Sequence, residues 1–148
     1  MPHNFHATAL LASDRGVLVA GPSGSGKTAL ALALIAHCRA HGVAGRLVSD
    51  DQVLLSVAAG RLVAVAPAPI AGLVELRGYG PAPVPAEARM AVDLLVRLVE
   101  PAAAPRLAAG ASEVLAGVAL PRLDLPAGSA WTDALAVAGF LGLPPFGR

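Results

Sequence analysis

Gly16-Val17-Leu18-Val19-Ala20 runs straight into Gly21-Pro22-Ser23-Gly24-Ser25-Gly26-Lys27-Thr28, and an alanine- and leucine-rich stretch from Ala29 to His41 follows. The middle segment is a complete G-x-x-x-x-G-K-[ST] phosphate-binding loop. It sits between a predicted strand and a predicted helix, which is the context such a loop needs. Glycines let the backbone curl so that several N–H groups converge on one anion. The helix start adds partial positive charge. Residues 21–28 are therefore expected to hold the phosphates of a nucleotide. Lys27 is placed to reach the β- and γ-phosphates, and the Thr28 hydroxyl to meet Mg²⁺. A glycine- and serine-rich linker would need neither the strand before it nor the Lys-Thr pair opening a helix.

Outward from the loop, Phe5 to Ala12 reads as a strand, Ser13-Asp14-Arg15-Gly16 as a turn, and residues 17–20 as the strand that delivers the chain to the loop. The helix over 28–41 repeats Leu30, Leu34 and Cys38 on one face, with Ala31 and Ile35 widening the stripe, and Gly42 ends it. Arg46 to Ser49 is a strand running into Asp50-Asp51, and residues 53–57 and 61–65 form a hairpin. Ile70 to Leu76 fits a strand edge or a short helix. Arg77 to Gly80 is irregular, and Pro81, Pro83 and Pro85 extend that loop. Residues 89–99 are ambiguous: Met90, Val92, Leu94, Val96 and Leu98 alternate like a strand, whereas Asp93 and Arg97 are spaced as on a helix face. An alanine-rich connection from 101 to 117 reads as loop and short helix. Val118 to Pro126 is extended, and Ala130 to Leu141 is a final helix.

The 148 residues suffice for a single domain, 1–148, with a real core. Apolar residues make up 55% and aromatics only 3%, so that core must be built from Ala, Leu and Val. A net charge of +1 provides no field to steer the chain toward nucleic acid or a membrane surface. One cysteine, Cys38, rules out an internal disulfide and a multi-cysteine metal site, and reads as buried filler. The start lacks a signal-peptide pattern, and no stretch is suited to crossing a bilayer. A cytoplasmic location is expected.

A phosphate loop alone does not separate a switch GTPase from a transport ATPase or a small kinase. The adjacent carboxylates Asp50 and Asp51 narrow the field, because strand ends face the ligand crevice of open α/β sheets. One can hold Mg²⁺ through water while the other orients or deprotonates an acceptor hydroxyl. His6 is a second candidate, against a plain hydrogen-bonding role near a strand start. Glu75-Leu76-Arg77-Gly78 is a third: Arg77 can contact phosphate and Glu75 the metal shell, or the two can form an internal salt bridge. His37 and His41, four apart, read as exposed polar residues at a helix end rather than as metal ligands.

Three segments, in order and spacing, carry a resemblance to a known family: FHATAL followed by RGVLVAGPSGSGKTALAL, then RLVSDDQV, then IAGLVELRGYG. Together they resemble the C-terminal catalytic domain of HPr kinase/phosphorylase, whose signature is built on I-x-G-x-x-E-x-R-G-L-G. VALPRLDLP resembles the family segment before its final helices. The resemblance implies an α/β fold: a P-loop kinase core of the HPr kinase and phosphoenolpyruvate carboxykinase type, a mixed sheet with flanking helices in which 89–97 is a strand. By this resemblance a compact form, without the N-terminal domain of longer members, is expected. The implied cofactors are ATP and Mg²⁺, and the implied partner is HPr or an HPr-like phosphocarrier, phosphorylated on serine.

By the same resemblance, Lys27 and Thr28 match the phosphate and Mg²⁺ residues. Asp50 matches the catalytic aspartate, base for the seryl hydroxyl and acid in the reverse reaction, with His6 supporting it. Asp51 is its neighbour and joins Thr28 and Glu75 as the expected metal set. Arg77, Gly78 and Gly80 match the signature loop. Tyr79 stands where the family has leucine. Leu125-Pro126-Ala127-Gly128-Ser129 replaces P-V-R-P-G-R, so arginines expected near Ala127 and Ser129 are missing and the phosphorylase reaction should be weak. A homo-oligomer is in keeping with the family. Two other readings stay open: a small-molecule P-loop kinase, and an ATP-binding regulatory module without turnover.

Overall fold

A computed structural model describes residues 2–147. In chain order the elements are β1 (His3–Phe5), β2 (Ala7–Ala12), β3 (Arg15–Ala20), α1 (Lys27–Ala40), β4 (Gly45–Ser49), β5 (Val53–Ala58), β6 (Arg61–Val65), β7 (Leu73–Leu76), β8 (Gly80–Pro83), β9 (Arg89–Ala91), β10 (Leu94–Val99), β11 (Ser112–Leu115), β12 (Val118–Pro126) and α2 (Ala130–Leu141). Short 3-10 turns occupy 68–70 and 101–103. A six-stranded mixed sheet has the order β11-β12-β10-β3-β2-β4, and a four-stranded antiparallel sheet the order β1-β5-β6-β9.

Strand alternation explains the layering. On β3, Val17 and Val19 face one core with Leu30, Leu34, Val137 and Ala138 of the helices, while Leu18 and Ala20 face a second core with Val53, Leu62 and Met90. On β10, Leu94, Val96 and Leu98 face the helices and Leu95 the second sheet. Residues 17–20 of β3 and 94–96 of β10 are continuously apolar because both faces of these strands are covered. Both helices pack on one face of the six-stranded sheet and the smaller sheet covers the other, which gives the mixed sheet with flanking helices that was expected.

Several expectations are revised. The strand expected over 5–12 breaks at His6 into β1 and β2, which belong to different sheets. The proline segment is not all loop: β8 pairs antiparallel with β7, Pro81 opposite Glu75 and Pro83 opposite Leu73. Prolines two apart share one side of a strand, so Gly80 and Ala82 remain available to face β7. Residues 89–99 are extended, but where the resemblance implied one strand over 89–97 they form two, β9 and β10, in different sheets and separated at Asp93. That carboxylate accepts from the Gly16 amide at 2.8 Å and from Arg61 at 2.7 Å, while Arg97 pairs with Glu113 at 2.5 Å. The helical pairing of Asp93 with Arg97 is not made, because each has a partner on another strand. The 101–117 connection, expected as loop and short helix, holds a 3-10 turn over 101–103 and also the strand β11. His37 is buried, not exposed, and its Nε2 lies 2.8 Å from the Pro144 carbonyl oxygen.

Candidate active site

Topology brings the site together. β3 and β4 both run antiparallel to β2, so their C-terminal ends lie at the same sheet edge as the start of β2. That edge carries the phosphate-binding loop after β3, Asp50-Asp51 after β4, and His6 and Thr8 at the head of β2. The β2–β4 register slips between Ala9 and Leu10, a bulge that re-aims the end of β4 toward the loop.

The loop is closely folded. Gly24 and Gly26 adopt φ of 80° and 100°, conformations that side chains disfavour. A Cβ on Gly21 would lie 2.6 Å from Ser25 Oγ. Lys27 begins α1 and is buried. Its Nζ donates to the carbonyls of Gly21 at 3.1 Å and Pro22 at 3.3 Å, and lies 3.4 Å from Asp51 Oδ1. Ser23, Gly24, Gly26, Lys27 and Thr28 line a cleft of ≈ 640 Å³ whose other wall holds Asp50, Asp51, Glu75 and Arg77.

The two aspartates, adjacent in sequence, have separate environments. Asp50 is 6% exposed. Its Oδ1 accepts from Thr28 Oγ1 at 2.6 Å and from Thr8 Oγ1 at 3.2 Å, and its Oδ2 from the Glu75 amide at 2.9 Å. A carboxylate has about four acceptor sites, and three donors already occupy this one. Asp51 has φ of 65°, left-handed backbone that turns its side chain away from its neighbour. Its carboxylate is about half exposed and meets His6 Nε2 at 2.7 Å and Lys27.

His6 therefore supports Asp51, where Asp50 was expected. The carboxylate bonded to Thr28 is Asp50, while Asp51, which the resemblance grouped with Thr28, faces His6 and Lys27. The cause is the left-handed turn: an extended Asp51 would not present its carboxylate this way. Glu75 and Arg77 reach the cleft wall as expected, but form no salt bridge with each other among the described residues. Glu75 touches Asp50 through its backbone amide. Thr8 escaped the sequence reading because a threonine inside Ala7-Thr8-Ala9-Leu10-Leu11 looks like strand filler. Its one signal was falling two residues after His6. Thr28 and Asp50, bonded to each other, present hard oxygen donors of the kind Mg²⁺ prefers when it is also held by substrate phosphates, and Glu75 lines the same cleft.

Elsewhere, Arg97 and Arg122 share Glu113, and Arg122 also meets Asp124 at 2.9 Å. Hydrogen bonding from Arg97 holds the Glu113 carboxyl below its usual range, and the same pairing raises Arg97. Burial pushes the Cys38 thiol up and lifts the Asp133 carboxyl to about 6.

A strand–loop–helix motif with a carboxylate at the next parallel strand end is the arrangement shared by the P-loop class of proteins. The particular family follows from comparison: residues 2–108 match the model of the HPr Serine kinase C-terminal domain, and the chain belongs to that family. It is 41% identical over 70 residues to the HPr kinase/phosphorylase of Clostridium tetani, a match spanning 47% of this chain and 21% of that protein. The chain thus corresponds to about a fifth of that curated relative. The solved structure of the Hpr(Ser) kinase/phosphatase from Coxiella burnetii superposes with a TM-score of 0.80 at 25% identity, covering 94% of this chain and 96% of the other. The mixed α/β core is that of an HPr kinase/phosphatase. No helix among the described residues is long and apolar enough to cross a membrane.

Proposed function

We propose that this protein is a Mg²⁺- and ATP-dependent kinase that phosphorylates a serine of HPr or an HPr-like phosphocarrier. The observation that carries the reading is the division of labour between the adjacent aspartates. Asp50, bonded to the loop threonine, suits the Mg²⁺ seat with Thr28 and Glu75. Asp51, open to the cleft and backed by His6 and Lys27, suits a base that orients the seryl hydroxyl and takes its proton. The catalytic role first expected of Asp50 passes to Asp51 on this geometry. Mg²⁺ would supply charge neutralisation across the phosphates.

Residues 21–28 would hold the nucleotide phosphates through backbone amides. Lys27 would exchange its bonds to the Gly21 and Pro22 carbonyls for phosphate oxygens. Arg77, on the opposite wall, would meet the transferred group. Family membership also supports a homo-oligomer and a cytoplasmic location, where a phosphocarrier would be met.

The test is incubation with labelled ATP, Mg²⁺ and the HPr homologue of the same cell, comparing wild type with Lys27→Ala. Serine-linked label on HPr that Lys27→Ala abolishes is expected. Intact nucleotide binding with no transfer to HPr would sink the reading.

A further inference from the structure

We propose that Thr8 is a positioning residue whose single hydroxyl sets both carboxylates of the site, and through them couples the metal seat to the proton acceptor. The proposal rests on the functional reading above for its kinetic consequence. Its geometry stands apart from that reading.

Thr8 is fully buried on β2, the strand lying between the one that feeds the loop and the one that ends in the aspartates. Its Oγ1 is 3.2 Å from Asp50 Oδ1 and 3.1 Å from the Asp51 amide nitrogen. A hydroxyl has one hydrogen and two lone pairs. The amide can only donate and the carboxylate can only accept, so both directions are set: Asp51 N–H donates to Thr8, and Thr8 O–H donates to Asp50.

Each bond has a separate effect. The first holds the amide of a residue in left-handed backbone that an aspartate would otherwise avoid. The Gln52 amide, donating to the Asp50 carbonyl at 2.7 Å, and the Ser49 hydroxyl, donating to the Gln52 carbonyl, close the rest of that turn. The second bond shares Asp50 Oδ1 with the Thr28 hydroxyl at 2.6 Å. Loss of the hydroxyl therefore loosens Asp50 against Thr28 and frees Asp51 to turn away from His6 and Lys27. Threonine is required for its polarity, because valine fills the same space.

The experiment compares wild type, Thr8→Ser and Thr8→Val for thermal midpoint, kcat and KM in phosphotransfer to HPr, and affinity for ADP with and without Mg²⁺. Thr8→Val is expected to lower kcat roughly 10- to 100-fold, the scale for losing a supporting partner. It should also shrink the gain in ADP affinity that Mg²⁺ confers, with KM for ATP changed less than kcat. Thr8→Ser should restore both to within about threefold, since it keeps the hydroxyl and drops only a methyl. In a His6→Ala background, Thr8→Val should cost less than in wild type, because part of its effect passes through Asp51 and His6.

Wild-type kcat and Mg²⁺ response in Thr8→Val overturn the proposal. So does a Thr8→Ser loss as large as that of Thr8→Val, which assigns the effect to packing, and so do additive losses in the His6→Ala background. If Thr8→Val does not fold, Thr8→Ala carries the same comparison with Thr8→Ser. If wild type transfers nothing to HPr, the functional reading fails, while the Mg²⁺-dependent ADP affinity still decides the role of Thr8.

Discussion

The Gly128 amide donates to the Ser25 carbonyl at 3.1 Å, tying the β12–α2 turn to the phosphate-binding loop. Ala127 is anchored beside it through the Val99 carbonyl at 2.8 Å. The turn where family arginines were expected thus lies against the loop, and carries only Ala127, Gly128 and Ser129. Arg122, the nearest substitute in sequence, is committed to Glu113 and Asp124. Phosphate-dependent removal of the phosphoryl group from seryl-phosphorylated HPr should therefore be slow relative to the forward reaction. Ser129→Arg should raise it severalfold with little change in kinase rate. Release of HPr from its phosphorylated form at increasing phosphate concentration measures both, and a brisk wild-type reaction would remove the argument.

Asparagine at positions 50 and 51 should give different defects. Asp51→Asn removes the proposed proton acceptor and should lower single-turnover transfer from bound ATP by roughly 10²-fold or more, leaving ADP affinity near wild type. Asp50→Asn should chiefly reduce Mg²⁺-dependent nucleotide affinity, because its carboxylate is held by Thr28. A loose transition state makes late proton removal a smaller term, so the contrast between the two variants is the informative quantity. Equal defects in both would contradict the division of roles.

Stability should respond to pH in two opposing windows. Asp133 is buried on α2 with its carboxyl raised from 3.8 to about 6. Between those values the unfolded chain binds fewer protons than the fold, so stability falls as pH rises, by about 3 kcal/mol at most. Glu113 is shifted down by Arg97, so its contribution is present at neutral pH and is lost as pH falls through its folded value. Asp133→Asn should flatten the loss between pH 4 and 6, and Glu113→Gln should flatten the acid limb below it. Urea midpoints from pH 3 to 8 separate the two. An unchanged slope in Asp133→Asn would place the linked proton elsewhere.

Gly16→Ala should be among the most damaging single changes. A Cβ there would lie 1.9 Å from the Ala91 carbonyl oxygen and 3.3 Å from Met90 Sδ, where the two sheets meet. Backbone cannot yield as a flexible side chain can, so a loss of about 3 kcal/mol or more is expected. Chemical denaturation of Gly16→Ala beside Gly42→Ala, where a Cβ meets nothing within 4 Å, makes the comparison. Gly42→Ala bears only the strain of its φ of 77°.

The loop, α1 and α2 were readable in sequence because each carries its own local signal: a complete motif, an apolar stripe, a terminal glycine. The broad position of Asp50, Asp51, Glu75 and Arg77 along one cleft was readable too, through strand-end logic and family segments. What escaped depends on a single torsion and on a strand three elements away. Nothing in Ser49-Asp50-Asp51-Gln52 announces that Asp51 turns left-handed, so its pairing with His6 was assigned to the wrong aspartate. Thr8 was hidden because its partners lie 42 and 43 residues along the chain. The Pro81–Pro83 segment was read as loop because proline statistics describe central strands, whereas β8 belongs to a two-stranded sheet.

The left-handed backbone at Asp51 implies a trade between durability and turnover. An L-residue in that conformation costs about 1–2 kcal/mol, while glycine gives up roughly 0.5–1 kcal/mol to chain entropy. Asp51→Gly should consequently be no less stable than wild type while transferring almost no phosphate. Selection for thermal resistance alone would drift toward glycine at this position, and selection for phosphotransfer would restore the aspartate. An engineer stabilising this scaffold should leave position 51 strained and look for gains far from the cleft.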